Sequence, residues 1–218
     1  MSTAPRLKVG VLVSGRGSNL QALLDACKDP AFPAEIVHVL SNKADAYGLV
    51  LAKQAGISTT VISHKDFPDR ESFDAAMDRA LRAAGVGFVC LAGFMRLLSE
   101  GFVQGWQDRM INIHPSLLPS YKGLHTHERV LADGGKLHGC SVHFVRPACD
   151  EGPLIAQAAV PVLDDDTADS LAARVLEQEH RIYPLALRLI ADGKVRVVGN
   201  RALTDGCTAS GALVVPDA

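Results

Sequence analysis

The chain lacks most features that mark secreted, membrane-bound or nucleic-acid-binding proteins. Its five cysteines among 218 residues are dispersed and include no Cys-x-x-Cys pair, so neither a disulfide framework nor a zinc knot is expected and reduced thiols in a cytoplasm fit best. No apolar run reaches membrane-spanning length, and the first eight residues form no apolar leader. The formal charge is only −2, with scattered basic residues, which argues against a nucleic-acid or membrane partner but not against a phosphorylated small molecule.

What the chain does have is a large apolar fraction, 48% of its residues, which is ample for the core of one domain. No internal repeat, low-complexity block or linker interrupts it. We therefore predict a single domain over residues 1–199, followed by a loosely held tail over residues 200–218.

Short apolar runs alternate with helical patterns along the first half of the chain. Strands are predicted at Leu7–Val13, Glu35–Leu40, Thr59–Ile62 and Val86–Ala92, and helices at Ser18–Cys27, Tyr47–Gln54 and Arg70–Ala84. Strands and helices that alternate in this way predict an α/β fold with a doubly wound, mostly parallel sheet.

The pattern changes after Pro119. The segments Gly139–Val145 and Ile155–Leu163 resemble strands without a helix between them, so we expect an antiparallel pair. A long helix follows at about Ala168–Ala191, and its Pro184 is expected to kink or interrupt it. The segment Lys194–Val198 is predicted as a further edge strand, which completes a short antiparallel C-terminal extension.

A glycine-rich turn, Ser14–Leu20, joins the first strand to the first helix. Glycines let the backbone turn tightly, and the start of a helix offers free N–H groups and the positive end of its dipole, which together favour a phosphate. Leu20 stands where a dinucleotide fingerprint has its third glycine, and no Gly-Lys-Ser/Thr follows. A terminal phosphate monoester is therefore the expected ligand.

The segment from Asn112 to Pro119 sets an amide and an imidazole two residues apart, after an apolar run. Alternate strand residues point the same way, so Asn112 and His114 can face one cavity while Ile113 packs into the core. Pro115 then ends the strand and favours an extended backbone at His114. An amide and a titratable ring on a rigid strand are suited to acyl transfer, although a buried core histidine is the simpler interpretation of His114 alone.

Asp150 follows a predicted strand through a short loop. A carboxylate beside an imidazole favours the protonated ring, although an isolated Asp before Gly-Pro is more often a turn residue. His125 and His127 have the spacing of a metal pair, but no third ligand stands at a matching spacing. We expect no metal and interpret this pair as a polar loop or helix cap.

Taken together, these residues resemble the glycinamide ribonucleotide formyltransferases, the folate-dependent enzymes of purine biosynthesis. The similarity extends from the first strand to about Asp192. The motifs that carry it are Gly15–Leu20, Ser41–Asp45, Leu91–Ser99, Asn112–Pro119, Gly123–His127, Ser141–Val145, Asp150–Pro153 and Gln178–His180. The resemblance implies a Rossmann-like formyltransferase fold, with a phosphate-binding half at about 7–92 and a folate-binding and catalytic half at about 93–199.

The resemblance also implies roles for particular residues. The catalytic group would be Asn112, His114 and Asp150. The acceptor, 5′-phosphoribosylglycinamide, would contact Gly17, Ser18, Asn19, Leu176, Glu177, Gln178 and Glu179. The co-substrate, 10-formyltetrahydrofolate, would contact Arg70, Met95, Arg96, Leu97, Leu98, Asn112, Arg146, Pro147, Ala148, Cys149 and Asp150. Without the resemblance, Met95, Leu97 and Leu98 would be interpreted as core residues.

Two segments depart from the family pattern. The loop Arg146–Cys149 lacks the acidic residues usual after this strand, so contacts to the pterin through backbone groups are expected there. Lys122 stands where a small residue or proline is expected, and no function is assigned to it.

Other functions stay open at this point. A formyltetrahydrofolate hydrolase would use the same three residues with water as acceptor, but usually carries a further domain before this fold. A methionyl-tRNA formyltransferase would add a domain after it and a basic surface. A non-catalytic module that binds a phosphorylated metabolite would retain the glycine-rich turn, although the complete Asn/His/Asp set speaks against it. We expect a formyltransferase for small molecules, as a monomer or homodimer.

Overall fold

Alternating strands and helices wind around a central sheet in the computed structural model, which describes residues 5–206 and residue 215. The strands of the first half are β1 (Leu7–Val13), β2 (Ala34–Ser41), β3 (Ser58–Val61) and β4 (Phe88–Leu91), and those of the second half are β5 (Met110–His114), β6 (Leu137–Phe144) and β7 (Leu154–Pro161). The helices are α1 (Ser18–Cys27), α2 (Tyr47–Gln54), α3 (Arg70–Ala83), α4 (Glu100–Gly105), α5 (Thr126–Ala132) and α6 (Ala168–Ala191).

The sheet has the order β3-β2-β1-β4-β5-β6-β7. The pairs β3-β2, β2-β1, β1-β4 and β4-β5 are parallel, whereas β6 pairs antiparallel with both β5 and β7. The predicted doubly wound, mostly parallel sheet is therefore confirmed. The strand order reverses between β1 and β4, and ligands bind beside such a reversal, outside the carboxyl ends of the strands.

Two apolar layers enclose this sheet. One contains the buried faces of α1 and α6, with Leu23 and Tyr183 fully buried, and the other contains α3 and α4, with Met77 and Trp106 buried. The hydroxyl of Tyr183 donates to the carbonyl of Leu91 at 2.9 Å, which joins α6 to the end of β4. The sheet is therefore held rigidly at the edge where the loops after β1 and β4 begin.

Of the two effects expected of Pro184, a kink or an interruption of the last helix, the interruption is wrong. Helix α6 runs unbroken from Ala168 to Ala191 with Pro184 inside it. Proline lacks the N–H that would bond to the carbonyl four residues before it, but the neighbouring Tyr183 and Leu187 are fully buried. Packing on both sides of Pro184 therefore outweighs the one lost hydrogen bond.

The C-terminal predictions need two corrections. The expected edge strand is β8 (Val195–Val198), which pairs with β9 (Arg201–Thr204) in a separate antiparallel sheet rather than with the edge of the main sheet. Gly199 lies in the turn between them with φ 61°. Residues 201–204 of the expected loose tail are therefore paired, and most of its remainder, including Cys207, lies outside the described residues.

Across the part of the chain that the structure describes, no helix combines the length and apolar character required to cross a membrane.

Candidate active site

Strand β5 places Asn112 and His114 on the same face of the sheet, as alternation predicts. Ile111 and Ile113 point the other way, into the core that contains α1 and α6. His114 is 6% exposed, and Asn112 is half-buried. Both side chains are therefore largely shielded from bulk water, and the prediction that Ile113 packs into the core is confirmed.

The ring of His114 lies between two acceptors. Its Nε2 donates to the backbone carbonyl of Tyr121 at 3.0 Å, and its Nδ1 lies 3.5 Å from Oδ2 of Asp150. Because the Tyr121 carbonyl can only accept, Nε2 is the ring nitrogen that donates to the backbone, and Nδ1 faces the carboxylate. Nε2 is used by the backbone, so Nδ1 is the nitrogen through which His114 can donate to a ligand.

The loop after β6 brings Asp150 to His114. Arg146 binds Asp108 at the start of this loop, with Nη2 2.5 Å from Oδ1, and the chain then folds back over the sheet. Asp150 has φ 54°, a left-handed conformation that Asp tolerates better than most residues. Its Oδ2 accepts from the N–H of Gly123 at 2.9 Å and from Cys149 Sγ at 3.4 Å. The carboxylate is therefore fixed, and the predicted approach of Asp150 to His114 is found.

His143 belongs to this cluster, although sequence reasoning gave it no role. Its Nδ1 donates to the carbonyl of Phe144 at 2.9 Å, which leaves Nε2 as an acceptor 3.4 Å from Nδ2 of Asn112. Burial lowers the pKa of His143, which favours this neutral form. His143 therefore orients the Asn112 amide and leaves the second hydrogen on Nδ2 for a ligand. Residues 112 and 143 are partners across β5 and β6. This contact could not be predicted from the sequence, because it depends on the register of the two strands.

The glycine-rich turn forms the predicted strand–turn–helix. Gly17 precedes α1 with φ 77°, and a Cβ at this position would lie 2.7 Å from the Cα of Gly48, so only glycine fits. Within the described residues no side chain caps the start of α1, which leaves N–H groups free to bind an anion. A cavity of about 290 Å³ beside the turn is lined by Gly15, Arg16 and Lys43, among others.

The residues predicted to contact the acceptor are only partly brought together. Asn19 Nδ2 donates to Glu179 Oε2 at 2.7 Å, although the two are 160 positions apart. Burial raises the pKa of Glu179, and the bond from Asn19 opposes that shift. Glu177 is exposed, and Gln178 accepts from Arg181 at 2.9 Å. Of the predicted α6 set, only Glu179 therefore forms a described hydrogen bond to residues 17–19 of the glycine-rich turn.

The loop after β4 presents apolar side chains to solvent. Met95 and Leu97 are 63% and 62% exposed, so the interpretation of these two residues as core is wrong. Leu98 is partly buried against the core of α3 and α4, while Arg96 and Arg70 are exposed. Two exposed apolar side chains two residues apart on one loop can form part of a ligand surface.

Lys122 and the loop after β6 border a second cavity. The Nζ of Lys122 lies 2.8 Å from Oε1 of Glu151, so this departure from the family pattern forms an ion pair at the rim. A cavity of about 470 Å³ has Asp150 in its wall together with Leu118, Leu154 and residues 200–202. In the same loop, Pro147, Ala148 and Cys149 are exposed.

His125 and His127, the two histidines with the spacing of a metal pair, have separate structural environments. His125 begins α5 in a left-handed conformation, and the ring of His127 packs edge-on against His138 at 5.1 Å. Among residues 5–206 and 215, no three His, Cys, Asp or Glu side chains are grouped so that they could hold a metal ion.

Comparisons with known proteins agree with this geometry. The sequence profile of the formyl transferase family matches residues 7–187. The phosphoribosylglycinamide formyltransferase of Escherichia coli (strain K12) is 48% identical over 200 residues, which cover 92% of this chain and 94% of that protein. The crystal structure of glycinamide ribonucleotide transformylase 1 from Symbiobacterium toebii superposes with a TM-score of 0.89 at 47% identity, over 91% of this chain and 94% of the other.

Longer relatives match over only part of their length. The trifunctional purine biosynthetic protein adenosine-3 of Homo sapiens is 50% identical over 195 residues, which are 89% of this chain and 19% of that protein. The chain thus spans less than a fifth of these multifunctional relatives.

Proposed function

The chain belongs to the formyl transferase family, and we propose that it transfers the formyl group of 10-formyltetrahydrofolate to the amine of 5′-phosphoribosylglycinamide in de novo purine biosynthesis. The observation that carries this proposal is the convergence of His114 and Asp150, 3.5 Å apart, on the sheet face that also carries Asn112. The products are the formylated ribonucleotide and tetrahydrofolate.

The acceptor is assigned to the turn before α1 and to α6. The phosphate lies at Gly17, Ser18 and Asn19, where free N–H groups and the helix dipole favour a dianion. The buried Glu179, held by Asn19 at 2.7 Å, accepts hydrogen bonds from the sugar or glycinamide part. The side chains of Glu177 and Gln178 contribute less, because Glu177 is exposed and Gln178 accepts from Arg181.

The folate donor is assigned to the loops after β4 and β6. Met95 and Leu97 supply exposed apolar contacts, and the exposed guanidinium of Arg70 suits a carboxylate of the donor. The backbone of residues 146–150 lines the pterin side, where Pro147, Ala148 and Cys149 offer few side-chain hydrogen bonds. With the two substrates assigned in this way, the formyl carbon lies beside Asn112, His114 and Asp150.

The reaction develops negative charge on the formyl oxygen when the neutral amine attacks the formyl carbon. Nδ1 of His114 and Nδ2 of Asn112 donate to that oxygen, and they do so more strongly as the charge grows, which lowers the barrier. The ring of His114 needs no reorganisation, because Tyr121 already holds Nε2. Donors that are fixed before the reaction begins give the largest electrostatic contribution.

Asp150 stabilises positive charge on the ring of His114 and orients the water through which the attacking amine loses its proton. Its Oδ2 is held by Gly123 and faces Nδ1 of His114, so Oδ1 is the oxygen free to hold a water molecule. That water relays the proton from the amine to the departing N10 of the folate.

The proposal includes a cytoplasmic location and a monomer or homodimer without nucleic-acid or membrane partners. Within the described chain, Cys27, Cys90, Cys140 and Cys149 are free thiols, which supports a reducing compartment.

The test is an assay of the purified chain with formyl-tetrahydrofolate, with and without the ribonucleotide. We expect tetrahydrofolate and formylated ribonucleotide to appear in equal amounts, and only when both substrates are present. Rapid deformylation without the acceptor would mean a hydrolase, and tight binding without transfer would mean a binding module. Either outcome would contradict the proposal.

A further inference from the structure

A buried hydroxyl lies between the two loops to which the proposed function assigns the two substrates. Ser14 directly follows β1, is the first residue of the glycine-rich turn and is 4% exposed. Its Oγ accepts a hydrogen bond from the N–H of Met95 at 2.9 Å, and its own N–H donates to the carbonyl of Gly93 at 3.2 Å. Ser14 therefore binds the backbone of the folate loop (residues 93–98) and is covalently continuous with the nucleotide loop (residues 15–19).

Asn42 fixes the orientation of that hydroxyl. Ser14 Oγ donates to Asn42 Oδ1 at 2.6 Å, so its proton points to Asn42 and its lone pairs remain for Met95. Asn42 is also buried, and its Nδ2 lies 3.4 Å from Nδ1 of His64. The three polar groups form a chain in which each member satisfies the next, and such buried networks tolerate the loss of a member poorly.

The folate loop has a second, separate anchor. At its far end, the N–H of Ser99 donates to Oδ2 of Asp74 at 2.5 Å, and Asp74 lies on α3. Between the two anchors, the side chains of Met95 and Leu97 are exposed. The loop therefore has a fixed backbone and solvent-facing apolar groups, and only the Ser14 anchor is shared with the nucleotide loop.

We propose that Ser14 and Asn42 are positioning residues for both substrates: one buried pair sets the geometry of the nucleotide loop and of the folate loop together. This inference rests on the proposed function, because it takes these two loops as the two substrate sites. It predicts that one lost hydroxyl weakens the binding of two chemically unrelated molecules.

The test compares KM for both substrates in Ser14→Ala and in the unmodified chain. We expect about a tenfold rise in both KM values, because the variant loses two hydrogen bonds and leaves the Met95 N–H and Asn42 Oδ1 without this partner, with kcat changed by less than about threefold. Ser14→Thr retains the hydroxyl and should restore much of the affinity. Asn42→Ala should have a smaller effect in the same direction.

A double variant separates a linked pair from two independent defects. Because Asn42 acts through Ser14, the variant Ser14→Ala/Asn42→Ala should be no worse than Ser14→Ala alone. Asp74→Ala, which removes the unshared anchor, should raise KM for the folate only. The control is Thr60→Val on β3, outside both loops. It removes a hydroxyl that lies 3.0 Å from the ring of His38 and should leave both KM values unchanged.

The outcomes are distinguishable. If the unmodified chain is active and Ser14→Ala raises one KM or neither, the inference is overturned and the proposed function stands. If the unmodified chain transfers no formyl group, the proposed function fails and this inference fails with it. Should Ser14→Ala not fold, the same comparison is made on Asn42→Ala, for which a rise in only one KM, or in neither, overturns the inference.

Discussion

The proposed nucleotide loop and the proposed catalytic group of Asn112, His114 and Asp150 are built in opposite ways. The nucleotide loop consists of consecutive residues between β1 and α1, and its geometry follows from glycine and from the start of a helix. The catalytic group joins β5 to a loop that folds back after β6, so that Asp150 reaches His114 from 36 positions further along the chain. The proposed phosphate site is therefore a local feature of the sequence, whereas the proposed catalytic geometry exists only in the folded sheet.

Backbone conformation shows the same contrast. In the nucleotide loop the left-handed position is Gly17, where no side chain is strained. Around the catalytic group, Tyr121 and Asp150 adopt the left-handed conformation, with φ 54° each. This conformation costs about 1–2 kcal/mol per residue. Tyr121 holds His114 through its carbonyl, and Asp150 faces the ring, so the strain lies where the catalytic geometry is set.

The largest effects should come from the donors of the catalytic group. We expect His114→Ala and Asn112→Ala each to lower kcat by about 10²–10³-fold, because each removes one donor to the developing negative charge. Both KM values should change little, since the loops that bind the substrates are intact. Steady-state kinetics with urea unfolding as a folding control checks this, and near-normal activity in either variant would remove that residue from the proposed role.

A smaller loss is expected for the neutral variant Asp150→Asn. It retains the shape of the side chain and an acceptor for Gly123, but not the negative charge that faces His114 and orients the water of the proton relay. We expect kcat to fall about 10²-fold, as for other general acid–base groups. If kcat is unchanged while KM for folate rises, Asp150 acts in binding only.

On the other side of the comparison, Glu179→Gln should affect binding and leave chemistry nearly intact. We expect KM for the ribonucleotide to rise about tenfold through the lost charge-assisted hydrogen bond, with kcat within about threefold. Loss of kcat without a change in KM would place Glu179 with the catalytic residues instead.

The same variant should gain stability at neutral pH. Burial raises the pKa of Glu179, so the folded state retains a proton that the unfolded chain releases, and stability falls as pH rises through the raised value. A glutamine side chain does not titrate, and the amide that Glu179→Gln introduces can donate to Oδ1 of Asn19, a buried atom without a partner among the described residues. We expect a gain of about 1 kcal/mol at pH 7 that shrinks towards pH 4, measured by urea unfolding at both pH values.

The smallest effects should come from the exposed apolar side chains of the folate loop. Met95→Ser and Leu97→Ser should each raise KM for folate by about three- to tenfold, from partial loss of apolar burial against the ligand. KM for the ribonucleotide should not change. The matched control is Leu163→Ser, at an exposed leucine (46%) outside these loops. An equal rise in KM for folate in this control would contradict the assignment of Met95 and Leu97 to the folate surface.

Much of the fold could be predicted because its elements are long or strongly patterned. The bounds of β1, α1, α2 and α6 agree with the sequence patterns. Helix α4 was missed because its six residues are too few to show periodicity, and it depends on the cap that Ser99 supplies. The hairpin of β8 and β9 was missed although Gly199-Asn200 is a recognised two-residue turn signal.

The site divides in the same way. Alternation along β5 was enough to place Asn112 and His114 on one face, and strand–turn–helix geometry was enough for Gly17. The roles of His143 and of the Tyr121 carbonyl could not be predicted, because they depend on the register of β6 against β5 and on a left-handed residue in a loop. Exposure of Met95 and Leu97 was likewise a property of the folded loop rather than of residue type.

The most direct test of the catalytic geometry is the single-turnover rate of formyl transfer in His114→Ala, Asp150→Asn and the double variant, with both substrates saturating. His114 and Asp150 lie 3.5 Å apart. If they act as one unit, the first substitution already removes most of their joint contribution to the rate, and the second adds little. We predict that the double variant is no more than about threefold slower than the slower single variant. A double variant whose loss equals the product of the two single losses would show that His114 and Asp150 act independently, and would contradict the account.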